Sequence, residues 1–76
     1  MRTKEPKFLR DFGARIAEIR KQKGYTQEKL AYAIGVSPTY IGFIEQGKRN
    51  PTILNIQKIT KALDISLKEL FSPFGK

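Results

Sequence analysis

The stretch Gly35-Val36-Ser37-Pro38 leaves about three residues between one helix and the next, and a link that short forces the two helices to cross steeply. Upstream of it, Thr26 is placed to cap a helix that carries Gln27 and Glu28 in its first turn, where free backbone N–H groups and the positive end of the helix dipole sit. Leu30, Ala31 and Ile34 fall on one side of that helix, the spacing of a buried stripe. Gly35 supplies the positive φ that stops it, Val36 continues the apolar side, and Ser37 and Pro38 provide the cap and first-turn proline of the next helix. A steep crossing brings the partner backbone close, so the small Ala31 is expected at the contact. In the second helix Ile41 and Ile44 face inward with Glu45 beside them. Pro38, Thr39, Gly42, Phe43 and Gln46 point the other way, and Gly47 ends the helix.

The flanking segments read as support for this pair. Phe8, Phe12, Ile16 and Ile19 recur at helical spacing and predict a first helix from Phe8 to Lys23, ended by Gly24. After the Lys48-Arg49-Asn50-Pro51 loop, Thr52 caps a fourth helix whose stripe is Ile53, Ile56, Ile59, Thr60 and Leu63. Ser66-Leu67-Lys68-Glu69 has the form of a capping box and predicts a short fifth helix to Phe71. The expected fold is all-α, a compact five-helix domain over residues 8–71. Residues 1–7 are expected to form a flexible basic arm and residues 72–76 a frayed tail.

Composition excludes several chemistries. Seventy-six residues supply one small core and no deep substrate cavity. Fifteen Lys and Arg against seven Asp and Glu give a net charge of +8, which favours a polyanionic partner. That balance alone does not separate DNA from RNA or from an acidic membrane. Cysteine and histidine are absent, which removes disulfides, thiolate nucleophiles, imidazole acid–base chemistry and the usual zinc ligands. The seven acidic residues are scattered with no paired constellation, so neither an enzyme nor a metal or cofactor site is expected. Apolar runs are only a few residues long and Met1 to Lys7 lacks the hydrophobic segment of a signal peptide, so a cytoplasmic protein without membrane association is expected.

From Gln27 to Gly47 the pattern Q-x-x-L-A-x-x-I-G-V-S-x-x-x-I-x-x-I-E-x-G, followed by K-R-N-P and the helical stretch Ile53 to Leu63, resembles the helix-turn-helix domains of the phage-repressor and Xre class. It resembles more closely the small controller proteins of restriction-modification systems. The resemblance covers Phe12 to Phe71. It implies a lambda-repressor-like domain that binds double-stranded DNA as a homodimer on a two-fold operator and regulates transcription, with autoregulation and contact with RNA polymerase as further implications. The residues it brings toward DNA are Thr26, Gln27, Ser37, Pro38, Thr39, Tyr40, Phe43, Gln46, Lys48, Arg49 and Asn50.

Within that set, Gln27 and the start of its helix are expected at a phosphate, and Lys48, Arg49 and Asn50 along the sugar-phosphate backbone. Thr39 has a hydroxyl and a methyl for base edges, Phe43 a ring for a thymine methyl, and Tyr40 a phenol for a phosphate. The chain departs from the family's habit of Gln, Arg or Asn on this face: Pro38 has no amide donor and Gly42 no side chain. Either the site is read through shape and methyl contacts, or the surface binds something other than bases, as in an antitoxin-like protein-interaction module docking through Pro38, Gly42 and Phe43. The resemblance also pairs Arg20 with Glu45 as an internal tie, against the reading of two unrelated surface charges. Leu67, Leu70, Phe71 and Phe74 are expected to build a two-fold interface from the fourth and fifth helices, placing two reading helices about 34 Å apart. The plainer reading has Leu67, Leu70 and Phe71 closing the monomer core while Phe74 dangles.

Overall fold

The computed structural model describes residues 7–75. Within them lie five α-helices, α1 (Lys7–Gln22), α2 (Gln27–Ile34), α3 (Pro38–Glu45), α4 (Ile53–Leu63) and α5 (Leu67–Phe71), and a closing 3₁₀ turn, Ser72–Phe74. Four of the helices open on a hydroxyl that accepts a backbone N–H three residues on. Thr26 takes that of Lys29, Ser37 that of Tyr40, Thr52 that of Asn55 and Ser66 that of Glu69, all at 2.9–3.1 Å. Gly35, at φ 78°, ends α2, and the Val36 N–H returns to the Ala31 carbonyl at 3.0 Å. α4 ends on Asp64 at φ 58°, a left-handed position held without glycine, and the Ile65 N–H closes the turn on the Thr60 carbonyl.

Ile16, Leu30, Ile41, Ile44, Ile59, Leu63 and Leu70 are wholly enclosed, so every helix contributes to one core. Burial of each such side chain is worth about 1.5–3 kcal/mol. Ala31 is buried at the α2–α3 crossing, as its small size suggested. The approach of α1 to α3 depends on two glycines. A side chain at Gly13 would collide with the carbonyl oxygens of Ile44 and Glu45, and one at Gly47 would come within 2.7 Å of the Arg10 Cα. α1 therefore lies directly on the end of α3.

Several sequence expectations are corrected. α1 begins one residue early, at Lys7, whose ammonium pairs with Asp11 at 2.7 Å; the rest of the expected basic arm lies outside the described residues. Phe8 and Ile53 do not belong to the core stripes. Phe8 is half exposed at the start of α1, and Ile53 is 72% exposed as the first residue of α4, before that helix meets its neighbours. The first part of the tail expected to be frayed forms the Ser72–Phe74 turn, and the Phe74 ring packs against Phe8 and Phe12 at centroid distances of 5.3 and 6.2 Å. Leu70 has no exposed surface, so it belongs to the protomer's own core and cannot line a contact between copies. Phe71 stacks on Phe12 at 5.1 Å and is only partly exposed, which leaves Leu67, at 42% exposure, as the most open of the four proposed interface residues. Arg15 ties α5 down by donating to the Glu69 and Leu70 carbonyls at 2.8 and 3.3 Å, the first of which also accepts from the Ser72 hydroxyl at 3.1 Å.

Candidate nucleic-acid interface

The start of α3 is open to solvent. Ser37, Pro38 and Thr39 are all exposed, while Ile41 and Ile44 on the opposite side anchor the helix in the core at 1% exposure each. The division between buried and outward residues expected for this helix is therefore present. Phe43, at 38% exposure, and the exposed Gln46 extend the outward face toward the loop. Thr26 is also exposed and its hydroxyl oxygen accepts the cap N–H, leaving the hydroxyl hydrogen to give to a ligand.

The scaffold under this face is an ion pair. Arg20 and Glu45 meet in a two-pronged contact, Nε to Oε2 at 2.6 Å and Nη2 to Oε1 at 3.0 Å, with side chains only 8% and 7% exposed. Arg20 also donates to the Tyr25 carbonyl at 2.8 Å, so α1, the α1–α2 turn and α3 are fixed by one guanidinium. The expected tie is present and partly buried. Gln27 joins it: its Nε2 donates to Glu45 Oε1 at 2.9 Å. That amide is half-buried and committed to the scaffold through one of its two hydrogens, so only the other is left for the phosphate contact expected of it. A side-chain atom at Gly42 would meet the Gln27 amide at 3.8 Å, so Gln27 lies across the position that Gly42 leaves open.

Tyr40 is less free than expected. Its ring packs against the core, its phenol oxygen accepts from Asn55 Nδ2 at 3.0 Å, and Arg49 lies over its face at 5.5 Å from the centroid. Lys48, Arg49 and Asn50 are exposed on the loop that follows, and buried Pro51 anchors the loop's far end. Contacts thus run continuously from Gln27 past Gly42 and Glu45 on α3, and from Tyr40 to Arg49 and Asn55. The structure gathers the start of α2, the outward side of α3 and the cationic loop into one surface. Asn55, Arg15 and Gly13 were missed by sequence reasoning. A lone asparagine in a helix's first turn carries no sign that it reaches a tyrosine fifteen positions earlier.

Among the described residues no helix is long and apolar enough to cross a membrane, and no group of three or more acidic, histidine or cysteine side chains is arranged to hold a metal ion. An open groove among the described residues is lined by Ala33, Ile34, Lys58, Lys61 and Ala62, none of which belongs to the surface just described.

A helix-turn-helix family model matches residues 16–70. The control protein C.MunI of Mycoplasma sp is 42% identical over 66 residues, which span 86% of this chain and 89% of that protein. The crystal structure of the restriction-modification controller protein C.AhdI from Aeromonas hydrophila superposes with a TM-score of 0.81 at 45% identity, covering 84% of this chain and 97% of that one. The controller protein C.Esp1396I, solved as a tetramer in complex with its natural 35 base-pair operator, gives a TM-score of 0.81 at 40% identity over 90% of each chain. With its capped α2 and α3, its tight turn and its buried Arg20–Glu45 tie, this chain belongs to the helix-turn-helix family that includes these controller proteins.

Proposed function

We propose that the protein is a transcriptional regulator that binds a two-fold site in double-stranded DNA as a homodimer, with the start of α3 in the major groove of each half-site. The observation that carries this reading is the exposed start of α3 at Ser37, Pro38 and Thr39, set beside the cationic loop of Lys48 and Arg49 on one rigid surface. Thr39 and Phe43 read base edges, the latter through thymine methyls, while the loop and the N-terminus of α2 hold phosphates. With no long polar side chain at Pro38 or Gly42, sequence-dependent shape carries much of the discrimination. The operator-bound C.Esp1396I supports the polymer and the assembly of more than one copy.

Occupancy is the regulatory act. A dimer over a promoter blocks RNA polymerase, and one bound just upstream recruits it; a cytoplasmic location with the duplex completes the reading. Selection of bound duplexes from random DNA tests it directly. The expected product is a two-fold sequence with half-site centres about 34 Å, one helical turn, apart. A sample that enriches no duplex at low ionic strength overturns the proposal.

A further inference from the structure

Asn55 lies in the first turn of α4, one helix beyond the reading helix, with its backbone N–H already engaged by the Thr52 cap. Its side chain turns back to α3 and meets the Tyr40 phenol oxygen at 3.0 Å in a half-buried position. An amide NH₂ has only hydrogens to give, so the phenol oxygen is the acceptor and its own hydrogen is left to donate elsewhere. The Arg49 guanidinium lies over the face of the Tyr40 ring, 5.5 Å from its centroid.

We infer that Asn55 is a positioning residue for duplex recognition, which fixes Tyr40 as a hydrogen-bond donor toward DNA and holds the ring on which Arg49 rests. The inference builds on the DNA-binding reading above and adds a polarity to it. A phenol free to turn can donate or accept, whereas one whose oxygen already accepts from Asn55 is biased toward giving its remaining hydrogen to acceptors. On a duplex these are phosphate oxygens and the N7, O6 and O4 atoms of base edges. A guanidinium resting on a fixed ring also has less rotational freedom to lose on binding. The first turn of α4 thereby sets part of what α3 and the loop present.

The test compares the intact protein with Asn55→Ala, Tyr40→Phe and the double variant, all at a temperature where melting curves show them folded. The probes are the duplex recovered by selection from random DNA and an unrelated duplex of equal length. Asn55→Ala is expected to weaken binding to the selected duplex by about fivefold to tenfold, the scale of one hydrogen bond; an equal loss on the unrelated duplex places the Tyr40 contact at a phosphate, and a smaller one there places it at a base edge. Tyr40→Phe should lose a similar factor, and the double variant no more than Tyr40→Phe alone. Asn55→Leu, which keeps the branched shape and removes the donor, should behave as Asn55→Ala. Wild-type affinity in Asn55→Ala or Asn55→Leu, or losses that multiply in the double variant, would overturn the inference while leaving the DNA-binding reading intact. A parent protein that prefers no duplex would overturn both.

Discussion

Glu45 accepts three hydrogen bonds on one carboxylate, two from nitrogens of Arg20 and one from the Gln27 amide, at 7% exposure. Removing it strands a guanidinium that is itself almost wholly enclosed. Glu45→Ala is expected to lower unfolding free energy by about 3–5 kcal/mol, read from urea denaturation, because the remaining charge has lost its partner in a poorly solvated place. A loss below about 1 kcal/mol, the worth of an exposed pair, would place the interaction at the surface instead. The exposed cations behave differently. Arg49→Ala should weaken binding to all sequences and reduce the salt slope by about one unit, whereas Thr39→Ala should relax preference at particular base pairs. Equal weakening on every sequence from both changes would remove the division between positioning and reading contacts. At this scale the sequence was informative where chemistry is local. The hydroxyl caps at Thr26, Ser37, Thr52 and Ser66 all act within three residues. The Arg20–Glu45 pair spans twenty-five positions and was accessible only through family resemblance, and the Asn55–Tyr40 bond was not accessible at all.

Helix packing in this domain is governed by where side chains are missing. Gly13 and Gly42 both sit within helices, where glycine costs about 1 kcal/mol relative to alanine, yet they stand in opposite surroundings. At Gly13 a methyl group would strike backbone carbonyls of α3, at 2.7 Å from the Glu45 oxygen, and backbone cannot swing aside as a flexible side chain does. At Gly42 the nearest atoms are the Gln27 amide at 3.8 Å, an ordinary contact. Gly13→Ala is therefore expected to destabilise by about 1–3 kcal/mol through overpacking, despite the propensity gain, and Gly42→Ala to stabilise by up to about 1 kcal/mol. Paired thermal melts decide it, and the same sign for both would mean that space at these helices does not control the outcome. Element number and order were legible because each helix carries its own periodicity and punctuation, with boundaries shifted by about one residue. The closeness of α1 to α3 was not, since a glycine in a helical pattern looks the same whether it faces solvent or a neighbour's backbone. The tail was misread for a related reason: Phe74 has no periodic neighbours in sequence, and its partners Phe8 and Phe12 lie at the far end of the chain.

One protomer offers one reading helix on a body of 37 × 27 × 20 Å, while successive major-groove faces recur about 34 Å apart along a duplex. Engaging two of them takes a second copy, and a self-complementary arrangement of copies produces the two-fold site by symmetry. The apolar surface available for that contact is carried by the proposed helices, with Ile53 and Leu54 exposed at the start of α4 and Leu67 at the start of α5. Leu70 is excluded by its burial and Phe71 is largely spent on Phe12, so the sequence reading was wrong for Leu70 and leaves Leu67 as the open residue of α5. That error has a simple origin: a five-residue helix shows too few turns for its inward and outward faces to be told apart. Leu67 is accordingly the residue whose change should separate assembly from folding. Replacing it with glutamate puts a charge where the protomer is already open to water, so the monomer's melting temperature should change little, as for an ordinary surface substitution. In the dimer the two-fold would bring two such charges into an apolar contact. Leu67→Glu is therefore expected to shift sedimentation from dimer toward monomer and to weaken binding to a two-fold duplex by at least about tenfold, while binding to an isolated half-site is retained. A variant that stays dimeric and binds the full site normally would move the contact between copies off the start of α5.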